Sequence, residues 1–165
     1  MVDSGASLVQ DGRRGERLEL RVPITPTQLP AVRAMVGDLA MRMDYDLDAV
    51  EDLRLAVDEA SAILSLVSNG EAPLTVVFET SRAGLHIEAW VPTVEGKEVP
   101  RDGFGWAVLA TLVDAVDATR ARQSAVSGGG DGEGPVAVIT LDKFLPGQRP
   151  EGLGSGSGQN LSVAQ

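Results

Sequence analysis

The sequence predicts an α+β fold: a two-layer α/β sandwich in which three helices cover one face of a mixed, mostly antiparallel sheet of about five strands. Strand-like and helix-like hydrophobic periods follow each other along the chain in the order β, α, α, β, β, α, β, β. The last strand-like segment is apolar at nearly every position, which is typical of a strand covered on both faces. With 165 residues, of which 43% are hydrophobic, the chain can build one core.

The first strand and the first helix are expected between residues 17 and 43. The segment "RLELRVPI" alternates apolar and charged residues from Arg17 to Ile24, and Pro23 marks the strand end or an edge position. The following "TPTQLPAVRAMVGDLAMRM" has helical spacing, with Thr25 or Thr27 as the N-cap. The apolar residues of this helix are Leu29, Val32, Val36, Leu39 and Met43.

The second helix is predicted from about Ala49 to Val67. Asp48 and, three residues later, Glu51 form an acidic version of a capping box, and "SNGEAP" ends the helix. One apolar stripe contains Val50, Leu53, Val57, Ala60, Leu64 and Val67. The opposite side contains Asp52, Leu55, Glu59, Ile63 and Leu66. Because packing on a sheet uses only one stripe, we expect the second face to be covered by a ligand, a lid loop or another protein.

The second half of the chain begins with a predicted hairpin, in which "SRAG" joins "LTVVFET" to "LHIEAWV". A loop from Pro92 to Gly103 follows and is longer than most connections. A third helix is expected in "FGWAVLATLVDAVDAT", where helical spacing relates Phe104, Val108, Leu112, Val113 and Val116. A short strand in "ATRARQSAV" and a final strand in "PVAVITLDKFL" complete the sheet.

Glycine-rich segments set the predicted domain boundaries. Many of the 19 glycines fall in "SGGGDGEG" (127–134) and in "PGQRPEGLGSGSGQ" (146–159), where little apolar surface can be buried. The first segment is interpreted as a mobile internal loop and residues 146–165 as a disordered tail. With a flexible N-terminus over residues 1–16, the folded domain is predicted to comprise residues 17–145.

Composition narrows the functional classes. A net charge of −10 repels nucleic acid and anionic membranes, so neither is an expected partner, and it attracts basic protein surfaces. The chain has no cysteine for thiolate catalysis or metal binding, and its single histidine, His86, makes a catalytic triad or a multi-histidine metal site difficult. Neither a signal peptide nor an apolar run long enough for a membrane span is visible, which favours a cytoplasmic location.

The acidic pair Asp58 and Glu59 is the main candidate for chemistry. Glu59 lies among apolar residues of the second helix, where a partly desolvated carboxylate becomes a useful base. The spacing is also compatible with two solvated side chains beside leucine and isoleucine residues that pack against the first helix. His86 is typical of a surface residue of an alternating strand, and Trp90 and Trp106 are expected in the core, at a pocket or on a partner surface.

Three segments together resemble a known family. The segments "DLRLAVDEASAIL", "RDGFGWAVLATLVDAV" and "GPVAVITL" are similar to the anti-sigma regulatory factors of the RsbW and SpoIIAB type, in an actinobacterial form. These factors belong to the GHKL ATPase superfamily, whose histidine-kinase-like ATPase fold is a two-layer sandwich. The likeness covers residues 17–145 and includes the order of the elements.

The resemblance implies a nucleotide site with two departures from the family pattern. In the family, a glutamate is the general base, and an asparagine four residues later holds the magnesium that bridges the nucleotide phosphates. Glu59 matches the base, but Ile63 occupies the asparagine position, and an alkyl group cannot ligate a hard cation. The aspartate that binds adenine has no counterpart in "EAWVPTVEGKEVP", where Glu95 with Gly96 is the nearest acidic candidate.

The remaining family motifs are present. Asp58 stands where an aspartate often precedes the base, and Gly103 and Gly105 flank Phe104 at the start of a helix, as the family's phosphate-binding glycine pair does. Backbone N–H groups at such a helix start, aided by the helix dipole, favour a phosphate. The resemblance therefore implies ATP and magnesium as ligands that bind weakly or not at all, and no metal ligand from the protein.

Three functions follow from these observations. The resemblance implies an anti-sigma factor that sequesters an alternative RNA polymerase sigma factor, is released by a STAS-type antagonist and commonly forms a homodimer. The alternative is an active ATP-dependent serine kinase that phosphorylates the antagonist, with Glu59 as base. A third reading, independent of the family, is a small-molecule binding domain that uses the loop from Pro92 to Gly103 as a lid.

Overall fold

The computed structural model describes residues 15–70 and 72–150. The elements are β1 (Arg17–Val22), α1 (Leu29–Arg42), α2 (Leu47–Val67), β2 (Leu74–Thr80), β3 (Gly84–Pro92), α3 (Phe104–Leu112), β4 (Ala115–Arg122) and β5 (Pro135–Phe144). This order confirms the predicted succession of elements. The predictions of a flexible N-terminus and a disordered tail fall largely on residues 1–14 and 151–165, which lie outside the described residues.

The five strands form one sheet in the order β1-β2-β3-β5-β4. Every neighbouring pair is antiparallel, which makes this sheet more uniform than the mixed, mostly antiparallel one expected. β1 is an edge strand that ends before Pro23, as its sequence indicates. β5 lies between β3 and β4, and this internal position confirms the prediction made from its continuous apolar run.

The main core lies between the helices and one face of the sheet. The predicted stripe of α2 is entirely buried there: Val50, Leu53, Val57, Ala60, Leu64 and Val67. The stripe contacts β3 and β5, the strands near the middle of the sheet. On the sheet side, the fully buried side chains include Phe78, Ile87 and Ile139. α2 is therefore the central helix of the helical layer, with α1 and α3 packed against it.

The turn between α1 and α2 is bound to the sheet by one side chain. The Tyr45 hydroxyl donates a hydrogen bond to the carbonyl of Lys143 in β5 and accepts one from the N–H of Leu85 in β3, at 3.0 Å. Burial raises the pKa of Tyr45 to about 12, so the hydroxyl stays protonated and keeps donating. This residue connects the helical layer to both central strands.

The start of α1 differs from the predicted one. Its N-cap is Gln28, which makes no capping bond with its side chain, so the expectation of a Thr25 or Thr27 cap was wrong. The carbonyl of Thr25 instead accepts hydrogen bonds from the N–H groups of Gln28 and Leu29, at 3.0 and 3.1 Å. A backbone turn thus satisfies donors that a threonine side chain was expected to satisfy.

The start of α2 is also shifted. Asp46 is its N-cap and accepts a hydrogen bond from the Ala49 N–H at 2.8 Å, so the capping box predicted at Asp48 was wrong. Glu51 forms an ion pair with Arg54, with Nη1 and Oε1 2.5 Å apart. The helix starts two residues earlier than expected because the nearest aspartate before Leu47 already has the extended backbone of a cap.

The third helix is shorter than its sequence pattern indicates. It ends at Leu112, and the part of the predicted helix after Val113 belongs mostly to β4. The N–H of Asp114 donates to the carbonyl of Asp142 at 2.9 Å, and the Asp114 carboxylate accepts from the N–H of Phe144 at 2.7 Å. Pairing with β5 therefore ends the helix, because these backbone groups are satisfied by a strand far along the chain.

The connection from β4 to β5, residues 123–134, crosses the sheet face opposite the helices. There it covers a second, small core of Trp90, Val136 and Val138. The Trp90 indole N–H donates to the carbonyl of Ser127 at 2.8 Å, and the N–H of Ser127 donates to the Glu88 carboxylate at 2.7 Å. The start of the segment predicted to be a mobile loop is therefore held on the sheet by the bonds of Ser127 and by the packing of Val126 against this core.

Candidate functional site

The start of α3 lies directly against Glu59 of α2. A Cβ atom added at Gly105 would be 2.8 Å from Glu59 Oε2 and 3.5 Å from Ile63 Cδ1. Glycine at this position therefore lets the backbone of α3 approach the carboxylate closely. Two predicted site residues from distant parts of the sequence, Glu59 and Gly105, are brought together. The Glu59 side chain is half-buried there.

The second face of α2 is covered only in its middle. Ile63 is 6% exposed, whereas Leu55 and Leu66 on the same face are 53% and 66% exposed. The cover over Ile63 is α3 of the same chain, and the sequence had left a ligand, a lid or another protein as the choices. The exposed leucines on both sides leave apolar surface beside Glu59.

The first turn of α3 has the features expected of a phosphate-binding helix start. Gly103 is the N-cap. Glycine has no side chain that could cap the first N–H groups of the helix, and a Cβ atom added there would meet nothing within 4 Å. The first N–H groups of a helix have no acceptor within the helix and point outward along its axis. Phe104, the residue between the two glycines, is 86% exposed.

Two other predicted residues lie away from this contact. Asp58 forms an ion pair with Arg33 of α1, with Nη2 and Oδ2 2.8 Å apart. Glu95, the nearest candidate for the adenine-binding acid, is 86% exposed in its side chain and pairs with Arg120 of β4, Nη2 and Oε2 being 3.1 Å apart. The structure therefore brings neither carboxylate to the glycine pair in this state.

The long loop between β3 and α3 is anchored at both ends. The Thr93 hydroxyl donates to the carbonyl of Val67 at 2.6 Å, and Val99 is buried in the main core. At the other end, the Arg101 guanidinium lies 5.4 Å from the centre of the Trp106 ring and 2.8 Å from an Asp117 oxygen. Sequence reasoning missed Thr93 and Arg101, although the position of Arg101 beside the glycine pair was a usable signal.

The described residues contain neither a cluster of side chains suited to a metal ion nor a helix suited to span a membrane. Within residues 15–70 and 72–150, no group of three or more histidine, cysteine, aspartate or glutamate side chains is arranged to hold a metal ion. Among the helices of this same part of the chain, none combines the length and apolar character that crossing a bilayer requires.

His86 lies on the outer sheet face and is paired across the strands with Asp142, with Nδ1 and Oδ1 2.7 Å apart. The hydrogen bond to Asp142 raises the pKa of His86, partial burial opposes the rise, and Glu79 and Glu88 add to it. Because the pKa of His86 is higher in the folded chain than in the unfolded chain, the pair contributes its full stabilisation at pH values below the unfolded-state pKa, about 6.5. This contribution is lost as the pH rises through the folded pKa.

Replacing His86 by glutamine is therefore expected to make the protein's thermal midpoint less dependent on pH above about pH 6.5. The effect should be small, because both side chains are about one third exposed. Thermal unfolding followed by circular dichroism at several pH values measures it, with Asp142→Asn as the matched variant from the other side of the pair. If the native protein and His86→Gln show the same pH dependence, the pair is not coupled to folding.

Comparison with known proteins finds relatives that align with most of the chain. No family model matches the chain. It is 36% identical over 131 residues to the anti-sigma-F factor RsbW of Mycobacterium tuberculosis strains CDC 1551 / Oshkosh and H37Rv, an alignment that covers 78% of this chain and 77% of the relative. It is 25% identical over 153 residues to the serine-protein kinase RsbW of Bacillus subtilis strain 168, covering 80% and 88% of the two chains.

Proposed function

The chain belongs to the RsbW-type anti-sigma factors, and from this membership we propose that it binds and sequesters an alternative RNA polymerase sigma factor in the cytoplasm. The supporting observation is the 36% identity to an anti-sigma-F factor across 78% of the chain. Membership also confirms the resemblance drawn from the three sequence segments. Release of the sigma factor by a STAS-type antagonist is part of the proposal.

The surface of the protein is compatible with this function. A net charge of −10 would guide encounter with a basic region of a sigma factor and help to select that partner. Leu55, Leu66 and Phe104 offer exposed apolar area around Glu59, of the kind that protein interfaces bury. For the homodimer implied by the family, we propose the edge strand β1 and the adjoining helix α1 as the contact surface.

We propose that sequestration needs no ATP turnover, because the nucleotide site is degenerate. Ile63 stands at the position where the family has its magnesium ligand, and its buried alkyl side chain offers no oxygen. Phosphoryl transfer depends on the metal and on alignment more than on covalent help from the protein. A chain without this ligand is expected to be a poor kinase.

The second candidate function is a serine kinase that phosphorylates the antagonist. It is favoured by the contact between Glu59 and the α3 start, and by the kinase name of the Bacillus subtilis relative. When bound, ATP with magnesium would supply the phosphoryl group. Glu59 would accept the proton of the attacking hydroxyl, and the backbone of Gly103 and Gly105 would hold the phosphates. The two functions differ in their need for tight nucleotide binding.

The sigma factor proposal is tested with the full chain as tagged bait in extract of the native organism. We expect a sigma factor to co-purify, and the same pair made from purified proteins to bind with an affinity that added magnesium-ATP changes by less than about threefold. A large gain in affinity with magnesium-ATP would favour the nucleotide-dependent alternative. Recovery of neither a sigma factor nor a STAS protein would count against the proposal.

A further inference from the structure

Two adjoining cavities lie along β4, and they share no lining residue with the contact between Glu59 and Gly105. One has a volume of about 380 Å³ and is lined by Glu95, Arg120, Ala121, Arg122, Glu133 and Pro135. The other, of about 430 Å³, is lined by Glu98, Val99, Arg101, Ala118, Thr119 and Arg120. Arg120 lines both cavities, so this residue lies where the two spaces meet.

The hydrogen bonding of Arg120 is incomplete among the described residues. Its Nε atom is buried and finds no hydrogen-bond partner there. Its Nη2 atom donates to Glu95 Oε2 at 3.1 Å. A buried donor that lacks an acceptor is destabilising, and native structures rarely leave one without a reason. Because Nε is covered in this arrangement, a ligand oxygen could reach it only after a neighbouring side chain, such as that of the exposed Glu95, moves away.

The acids paired with these arginines are weakly held. Arg122 Nη1 lies 3.2 Å from Glu133 Oε2, and the side chains of Glu95 and Glu133 are 86% and 81% exposed. Ion pairs as exposed as these contribute little, so another anion can replace the glutamates at small cost. A ligand carboxylate would offer the arginine the same charge and the same oxygen acceptors as the glutamate that it displaces. A phosphate dianion has three acceptor oxygens and more charge, and can bind two guanidinium groups at once.

We propose that Arg120 and Arg122 form an oxyanion site on β4 that binds a phosphate dianion in exchange for Glu95 and Glu133. The site goes beyond the proposed function, since it uses neither the sigma factor surface nor the residues around Glu59. Its ligand is either a small free phosphate or a phosphorylated side chain of a partner. Both present the same terminal group to the two arginines.

The direct test is NMR of the arginine Nε–H groups of the full chain at constant ionic strength. Titration with inorganic phosphate is expected to shift the Arg120 signal saturably, with a Kd of about 1 mM or lower. Tighter binding of O-phosphoserine than of phosphate would identify a phosphorylated side chain as the ligand, and equal binding would identify a free phosphate. A shift of the same size with chloride alone would overturn the proposal.

Matched variants distinguish phosphate binding at a specific site from attraction to positive charge in general. Arg120→Gln is expected to weaken phosphate binding at least tenfold. Arg17→Gln removes the same charge on β1 and should change the affinity less than twofold. Glu95→Gln, at a highly exposed position, is expected to tighten binding severalfold by removing the competing carboxylate. Equal losses in both arginine variants, or weaker binding in Glu95→Gln, would disprove the site whatever the result of the sigma factor experiment.

Discussion

Magnesium-ATP is expected to bind the native protein with a Kd above about 1 mM, measured by equilibrium dialysis with labelled nucleotide. The reason is Ile63, which is 6% exposed and which the resemblance places at the magnesium-ligand position of the family. Its side chain cannot replace the water lost from a magnesium ion, so the metal would bring no affinity from this part of the site.

Ile63→Asn should reverse this deficit and tighten magnesium-ATP binding at least about tenfold, since it adds an oxygen ligand beside Glu59 and Gly105. It should also lower the free energy of unfolding by about 1–3 kcal/mol, because a buried amide is costly when no ligand is bound. Circular dichroism first checks that the variant is folded. Leu66→Asn, at an exposed position of the same helix face, is the control and should change neither quantity much.

The opposite result would favour the kinase. Saturable binding to the native protein below about 1 mM, abolished by Glu59→Ala or by replacing Gly103 and Gly105, would show that the nucleotide site is functional without the asparagine. Equal affinities of the native protein and Ile63→Asn would show that the position does not contact the metal.

Replacement of Leu64 by alanine is expected to lower the free energy of unfolding by about 2–5 kcal/mol. Leu64 is 0% exposed in the main core, on the face of α2 that packs on the sheet. Truncation removes apolar contacts and leaves a cavity that the rigid surroundings fill only partly. Urea unfolding followed by circular dichroism measures the loss, and a shifted midpoint with an unchanged slope would identify it as a loss of stability.

Leu66→Ala makes the same chemical change two residues along the helix. Leu66 is 66% exposed, so its truncation should change stability by less than about 0.5 kcal/mol. The difference between the two variants measures the asymmetry of α2 directly. If Leu66→Ala costs as much as Leu64→Ala, the second face of α2 is buried in solution, for example in a homodimer, and the assignment of its exposed surface is wrong.

Much of the fold could be predicted because its signals are local. The hairpin of β2 and β3, the internal position of β5 and the buried stripe of α2 each follow from a hydrophobic period within one segment. The same kind of signal failed at the end of α3, where residues 113–119 keep a helical period. Pairing with β5 overrides that local preference, because it satisfies a continuous row of backbone groups.

The candidate site also combines features that the sequence reveals with features that only tertiary packing reveals. The residue types of Glu59, Ile63 and the glycine pair, together with their likeness to a family, were available from the sequence. The close approach of Gly105 to Glu59 was not, since it depends on how α3 packs across α2. Nor was the pairing of Asp58 with Arg33, which separates two neighbouring acids into different surroundings.

By itself the sequence determined the element order, the core stripe of the central helix and the membership of the family, because periodicity and residue identity are carried by neighbouring positions. Only the tertiary structure decided that the glycine-rich segment is bound across the outer face of the sheet. The tertiary structure also decided that Arg120 lies between two cavities, with a buried Nε–H group that has no acceptor among the described residues. Glycine content indicates backbone freedom, and an arginine in a strand indicates only charge. What either residue does is set by the groups that distant segments place around it.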